Sequence, residues 1–177
     1  QGEAARGGGW IARAQRVLDD AQSDSVVRGF LMVHQGIRKV RQGAPADAFE
    51  LFHRAIDRGR RENERTLMAL GLLGLGRAYL REGRIAEGMD VLDEVMVSVT
   101  SGEVMPFAIG TIYCSVIDAC HEVFDLRRAR EWTDALSRWC AAQPDMATFQ
   151  AACLVNRATI MQLNGEWSGA LDEARRA

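Results

Sequence analysis

The sequence predicts an all-α protein: a right-handed α-solenoid of antiparallel helix pairs, about nine helices in all, with a period near 40 residues. Three observations predict it. The first is the stretch 72–95, LLGLGRAYLREGRIAEGMDVLDEV, which reads as a helix, a Gly-bearing turn and a second helix folded back on the first. The second is spacing inside that stretch: Tyr79, Gly88 and Leu92 follow Gly76 by three, twelve and sixteen residues. Small residues at 76 and 88 let two antiparallel helices approach closely, and the larger residues fill the space beside them. The third is recurrence. Gly36 precedes Ala48, Phe52 and Ala55 by 12, 16 and 19 residues, Ala129 is followed by Leu136, and Ala170 by Ala174 and Ala177. The anchors Ala48, Gly88, Ala129 and Ala170 are therefore spaced by 40, 41 and 41 residues, a repeat of the length that helix pairs make.

Taken in order, residues 10–21 (WIARAQRVLDDA) place Ile11, Ala14, Val17 and Leu18 on one helical face. Asp24 or Ser25 is expected to cap the next helix, which runs to about residue 42. Gly43-Ala44-Pro45 turns the chain, and residues 46–60 then bury Phe49, Phe52 and Ile56. Asn63 or Glu64 opens a helix to Arg81, closed by Glu82-Gly83, and residues 85–99 pair with it. The clearest break is Thr100-Ser101-Gly102-Glu103, with Pro106 at a helix start. Residues 107–124 are the most continuously apolar, Asp125 caps residues 126–142, and Gln143-Pro144-Asp145 ends that helix. Residues 147–163 and a helix from Glu166 onward form the last pair. The repeats then span residues 1–23 (partial), 24–61, 62–101, 105–143 and 147–177 of a single helical-repeat domain.

At 177 residues the chain is long enough to bury a continuous core. Net charge is −2, with Arg interspersed among Asp and Glu, so no general field favours nucleic acid or an anionic membrane. There is no run of 18 apolar residues and no hydrophobic signal core near the start, which points to a cytoplasmic location. Cys114, Cys120, Cys140 and Cys153 sit inside apolar helical patterns without C-x-x-C spacing and read as reduced core or near-core thiols. Lys39 is the only lysine; with abundant Ala and Gly this points to high-GC coding and a bacterial source. The chain starts without Met and stops inside an amphipathic helix at SGALDEARRA, so the expectation is a fragment of a larger protein.

The anchors resemble the tetratricopeptide repeat, in which small residues at the eighth and twentieth positions pack the two helices. The period here is longer. Met32, Leu72, Tyr113 and Leu154 stand where that repeat carries Trp, and Ile117 replaces the small residue of the third pair. Longer repeats of this kind are similar to the helical middle region of large LuxR-type transcriptional regulators of actinobacteria. The segments GWIARAQRVLDD, IYCSVIDACHEVFDLRRAREWTDALSRWCAAQPD and CLVNRATIMQLNGEWSGALDEARRA carry that resemblance, which covers essentially the whole chain. It implies a helix-turn-helix DNA-binding domain, and in many members a nucleotide-binding domain, outside these residues.

In solenoids of this kind the first helix of each pair lines the concave surface. The anchor register then points Phe30, Val33, Ile37 and Arg41 inward, followed by Leu73, Arg77, Leu80 and Arg81. The third pair adds Thr111, Cys114, Asp118, His121 and Glu122, and the fourth adds Val155, Thr159 and Gln162. Arg41, Arg77 and Arg81 are suited to hold a carboxylate or phosphate bidentately; the alternative is that they pair with Asp118, Glu122 or neighbours on their own helices. Cys114, Asp118 and His121 stand at i, i+4 and i+7. That span is about 10 Å and no fourth ligand is evident, so a groove-lining helix is expected there rather than a metal site. His34 and His53 belong to no nucleophile arrangement, and no phosphate loop of the G-x-x-x-x-G-K type occurs. Trp132, Leu136 and Trp139 form a stripe expected to be core, whereas Trp10 and Trp167 are expected to drive end-to-end self-association.

The function expected is that of a regulatory or sensory module binding an effector or protein partner in its groove, with no catalysis and no cofactor. DNA would be reached only through another domain, and no membrane is involved. The alternative is a passive protein-binding scaffold.

Overall fold

Helices follow one another along the chain: α1 (Gly2–Asp20), α2 (Val27–Arg41), α3 (Ala46–Glu62), α4 (Arg65–Arg81), α5 (Ile85–Thr100), α6 (Pro106–Glu122), α7 (Leu126–Ala141), α8 (Ala147–Leu163) and α9 (Trp167–Arg176). The computed structural model describes residues 2–22, 24–142, 147–163 and 165–177, with side chains omitted at 2–6, 147–150, 152 and 153. Among the described residues there is no strand. The helices fall into two compact units, α1 to α5 ending at Val104 and α6 to α9 starting at Met105.

In the first unit each helix packs on the next, and α2 also touches α4, so alternate helices stack as they do in a helical repeat. Local chemistry sets the boundaries. Glu64 precedes α4 in an extended conformation, and its carboxylate accepts the Thr66 N–H at 3.1 Å. Asn63, between α3 and α4, is left-handed at φ 53°, and the Glu64 N–H turns back to the Gly59 carbonyl at 2.8 Å. After α4, Gly83 adopts φ +77°, which an L side chain tolerates poorly, and the Arg84 N–H closes on the Tyr79 carbonyl at 3.0 Å.

Glycines decide how close these helices come. The Phe52 ring of α3 is fully buried against Gly36 of α2 and Gly74 of α4; an added Cβ would sit 2.6 Å and 2.2 Å from it. On the same side of α4, a Cβ at Gly71 would meet Ile56 at 2.8 Å. Gly76 turns instead toward α5, where Gly88 and the fully buried Leu92 lie against it. Helix α4 therefore presents one glycine surface to α3 and another to α5. The spacing rule anticipated Gly36 with Phe52 and Gly76 with Gly88; the part played by Gly71 and Gly74 emerges only in three dimensions.

In the second unit α6 packs on α7, α7 on α8 and α8 on α9, with α6 also touching α8, the same alternation. Pro106 opens α6 at N1, where its missing N–H costs nothing. Asp125 caps α7 by accepting the Arg128 N–H at 3.1 Å, after a left-handed Phe124 at φ 59°. Ile117, which stands where a small residue was expected, is fully buried with Ala129, Leu136 and Cys120. A bulky residue fills that position as core. Between α8 and α9 the nearly buried Glu173 pairs with Arg157 at 2.9 Å and Arg176 at 3.3 Å.

Two sequence-based expectations need correction. Helix α1 begins at Gly2 rather than near residue 10, running through Gly7, Gly8 and Gly9; Glu3, Ala4, Ala5 and Arg6 ahead of them are good helix formers. Helix α2 has Val26 at its N-cap with no side-chain cap. Ser25 Oγ accepts the Val27 N–H at a long 3.3 Å, and Asp24 is engaged elsewhere, with Arg58 of α3. The turn expected at 143–145 and the side chain of Cys153 lie outside the described residues.

Candidate functional site

Two of the three arginines expected in a groove line one pocket. Arg41 is the last residue of α2 and Arg81 the last of α4, and because these helices stack, both reach one open pocket of 510 Å³. Val40, Gly43, Pro45 and Glu82 complete its wall. Both arginines are exposed, and both sit at helix C-termini, where the outward carbonyls favour cations. Arg41 also borders a second depression of 460 Å³ with Ile11, Ala12, His34 and Ile37, between α1 and α2. Arg77 is half-buried one turn before Arg81.

Other positions assigned to the concave surface are core. Val33 and Leu73 are buried to 5% and 6% exposure, because they lie where α2 and α4 meet their neighbours. Phe30, Ile37 and Leu80 are half-buried. His34 and His53 are exposed.

In the second unit, helix α6 carries Cys114, Asp118, His121 and Glu122. Asp118 and Glu122 are exposed, while Cys114 and His121 are half-buried. The His121 Nε2 is buried with no hydrogen-bond partner among the described residues. Burial pushes the His121 imidazole below the ordinary histidine range, with the Asp118 carboxylate pulling the other way. Among the described residues no three His, Cys, Asp or Glu side chains are grouped as metal ligands. Cys114, Cys120 and Cys140 are thiols, the last two buried. Leu136 is core as expected, Trp132 and Trp139 are half-buried, and the Trp132 Nε1 is buried without an acceptor among the described residues. Val155, Thr159 and Gln162 share a 420 Å³ cleft between α8 and α9 with Trp167 and Leu171. Trp167 is 66% exposed and Trp10, on α1, 67%.

A further pocket went unanticipated. On α3, Arg54, Arg58 and Arg61 fall at i, i+4 and i+7 and line a 400 Å³ depression with Arg28, Met32, Asp24 and Asp57. Arg58 is 6% exposed, a rare degree of burial for arginine. It is held by an ion pair with the Asp24 carboxylate and another with Glu62 at 2.9 Å, and it donates to the Asp24 carbonyl at 3.3 Å. Arg58 in turn holds the Asp24 carboxyl below the usual carboxylate range, chiefly through their hydrogen bond. The i, i+4, i+7 arginine stripe is legible in the sequence. It lies on the second helix of its pair, whereas the repeat register points only to first helices as groove lining.

No helix among the described residues is long and apolar enough to cross a membrane. Comparison with protein-family models, with curated proteins and with solved structures finds no match.

Proposed function

We propose that this chain is the regulatory interaction module of a cytoplasmic bacterial transcriptional regulator of the LuxR type, built as a right-handed, tetratricopeptide-like solenoid with a period near 40 residues. The observation that carries the reading is the presence of Arg41 and Arg81 in the wall of one open pocket. Two arginines one repeat apart in the sequence line this pocket, and a guanidinium fork suits a carboxylate or phosphate. Binding there would favour one arrangement of the repeats and so shift an equilibrium read out by a helix-turn-helix domain elsewhere in the polypeptide. The resemblance of the helical segments to the middle region of such regulators supports the assignment.

The test is binding. An acidic effector or peptide should raise the melting temperature saturably, and Arg41→Gln with Arg81→Gln should abolish that rise. Unchanged affinity in the double variant would sink the pocket assignment. The exposed apolar lining of the α8–α9 cleft, Val155, Trp167 and Leu171, favours a second reading, a protein-binding scaffold without effector sensing. Saturable stabilisation by a small molecule separates the first reading from the second.

A further inference from the structure

We propose that the arginine pocket on α3 is a binding site for a compact dianion, a phosphate monoester or a small dicarboxylate, and that Asp24 is its built-in competitor. Arg54, Arg58 and Arg61 lie on one stripe of one helix, with Arg28 of α2 at the rim. Arg28 is engaged by Asp19 at 2.8 Å and Arg58 by Asp24 and Glu62. Arg54 and Arg61 border the same 400 Å³ depression, are exposed, and have no ion-pair partner among the described residues. The site therefore joins one desolvated guanidinium to two accessible ones. That is the arrangement in which an oxyanion gains most, because the buried cation supplies strength and the exposed pair supplies entry.

Asp24 shows what the site accepts. Its carboxylate sits on Arg58, yet its own side chain is 85% exposed and belongs to the segment between α1 and α2. The protein has thus placed an anion of its own on the buried arginine while keeping it at the solvent boundary, where exchange requires no opening of the core. A single carboxylate engages Arg58 alone. A dianion reaching Arg58 together with Arg54 and Arg61 gathers more donors and displaces it. Asp57, also on the wall, is paired with Arg60 at 3.3 Å, which offsets its charge. The site stands apart from the Arg41–Arg81 pocket, so either assignment survives the failure of the other.

The test uses the 177-residue chain titrated at constant ionic strength with inorganic phosphate and, separately, with succinate, read by melting temperature and by the arginine Nε–Hε resonances. Saturable stabilisation with a shift of the Arg58 resonance is expected; which probe gives it identifies the ligand as phosphate or dicarboxylate. Arg54→Gln with Arg61→Gln, both at the surface, should remove the effect while leaving the unliganded melting temperature nearly unchanged. Asp24→Asn should melt lower without anion and recover toward wild type on adding it. Its apparent affinity should rise about tenfold once the internal competitor is gone. No saturation by either probe, or saturation that persists in the Arg54/Arg61 double variant, overturns the proposal. So does an Asp24→Asn protein whose affinity is unchanged.

Discussion

Gly76 and Gly88 stand so close that a Cβ built on either meets the other's carbonyl oxygen, at 3.1 Å from Gly76 and 3.0 Å from Gly88. The Leu92 and Leu80 side chains stand closer still, at 2.9 Å and 2.7 Å, and with backbone behind them a rotamer change alone does not relieve the clash. Gly76→Ala and Gly88→Ala must push α4 and α5 apart, and each should cost about 1–3 kcal/mol in chemical denaturation. That outweighs the gain of about 1 kcal/mol that alanine brings inside a helix. The double variant should cost less than the two singles together, since one separation accommodates both methyls. Gly8→Ala is the control: nothing lies within 4 Å of its added Cβ, and it should be neutral or stabilising.

Phe52 is the most demanding core residue of the first unit, buried completely between two glycines on two other helices. Phe52→Ala should cost about 3–5 kcal/mol, because the glycines on either side offer no side chains to fill the void.

The caps at Glu64 and Asp125 each satisfy an N–H that the following helix leaves open. Glu64→Ala and Asp125→Ala should each lose about 1 kcal/mol. Ser25→Ala should lose less, since its contact with the Val27 N–H is long. Thermal melts of the three variants side by side check the ranking.

His121 gives the second unit a pH signature. Burial lowers its folded pKa, so below the ordinary histidine value of 6.5 the unfolded chain takes up a proton that the folded chain resists. Its contribution is present above pH 6.5 and is lost as pH falls from there through the folded pKa. Stability measured from pH 8 to pH 5 should fall less steeply in His121→Gln than in wild type. An identical slope would show that the imidazole is not desolvated.

Trp10 and Trp167, both about two-thirds exposed on α1 and α9, should make the chain self-associate. Sedimentation at rising concentration should show a dimer that Trp10→Ser and Trp167→Ser suppress. Strictly monomeric behaviour at the highest concentrations would rule this out.

The helices were legible because each repeat announces itself locally. Periodic apolar residues fix the faces, Asp125, Glu64 and Pro106 fix the starts, and glycines such as Gly83 fix the ends. The two anchor pairs Gly36–Phe52 and Gly76–Gly88 were readable for the same reason, since close approach needs small residues at fixed spacing. The site was legible only in part. Arg41 and Arg81 line one pocket because they end α2 and α4, which stack one repeat apart. Val33 and Leu73 vanish into the core because periodicity cannot distinguish a groove wall from a contact with a neighbouring helix. Position before a helix makes Asp24 or Ser25 a cap candidate; the engagement of Asp24 by Arg58, 34 residues away, depends on how α2 lies over α3.

Helix α4 carries Gly71, Gly74 and Gly76 within seventeen residues, a handicap of about 3 kcal/mol against an alanine helix. Alone it would be a coil. It exists because α3 and α5 each supply a surface shaped to a different set of those glycines, so its order is borrowed from both sides at once. Repeat proteins commonly melt from their ends, one unit at a time. Here the weakest helix in isolation is the one that joins its neighbours, and losing either of them withdraws its support. The section from α3 to α5 should therefore open as a single block, with the amides of all three helices exchanging at a common free energy.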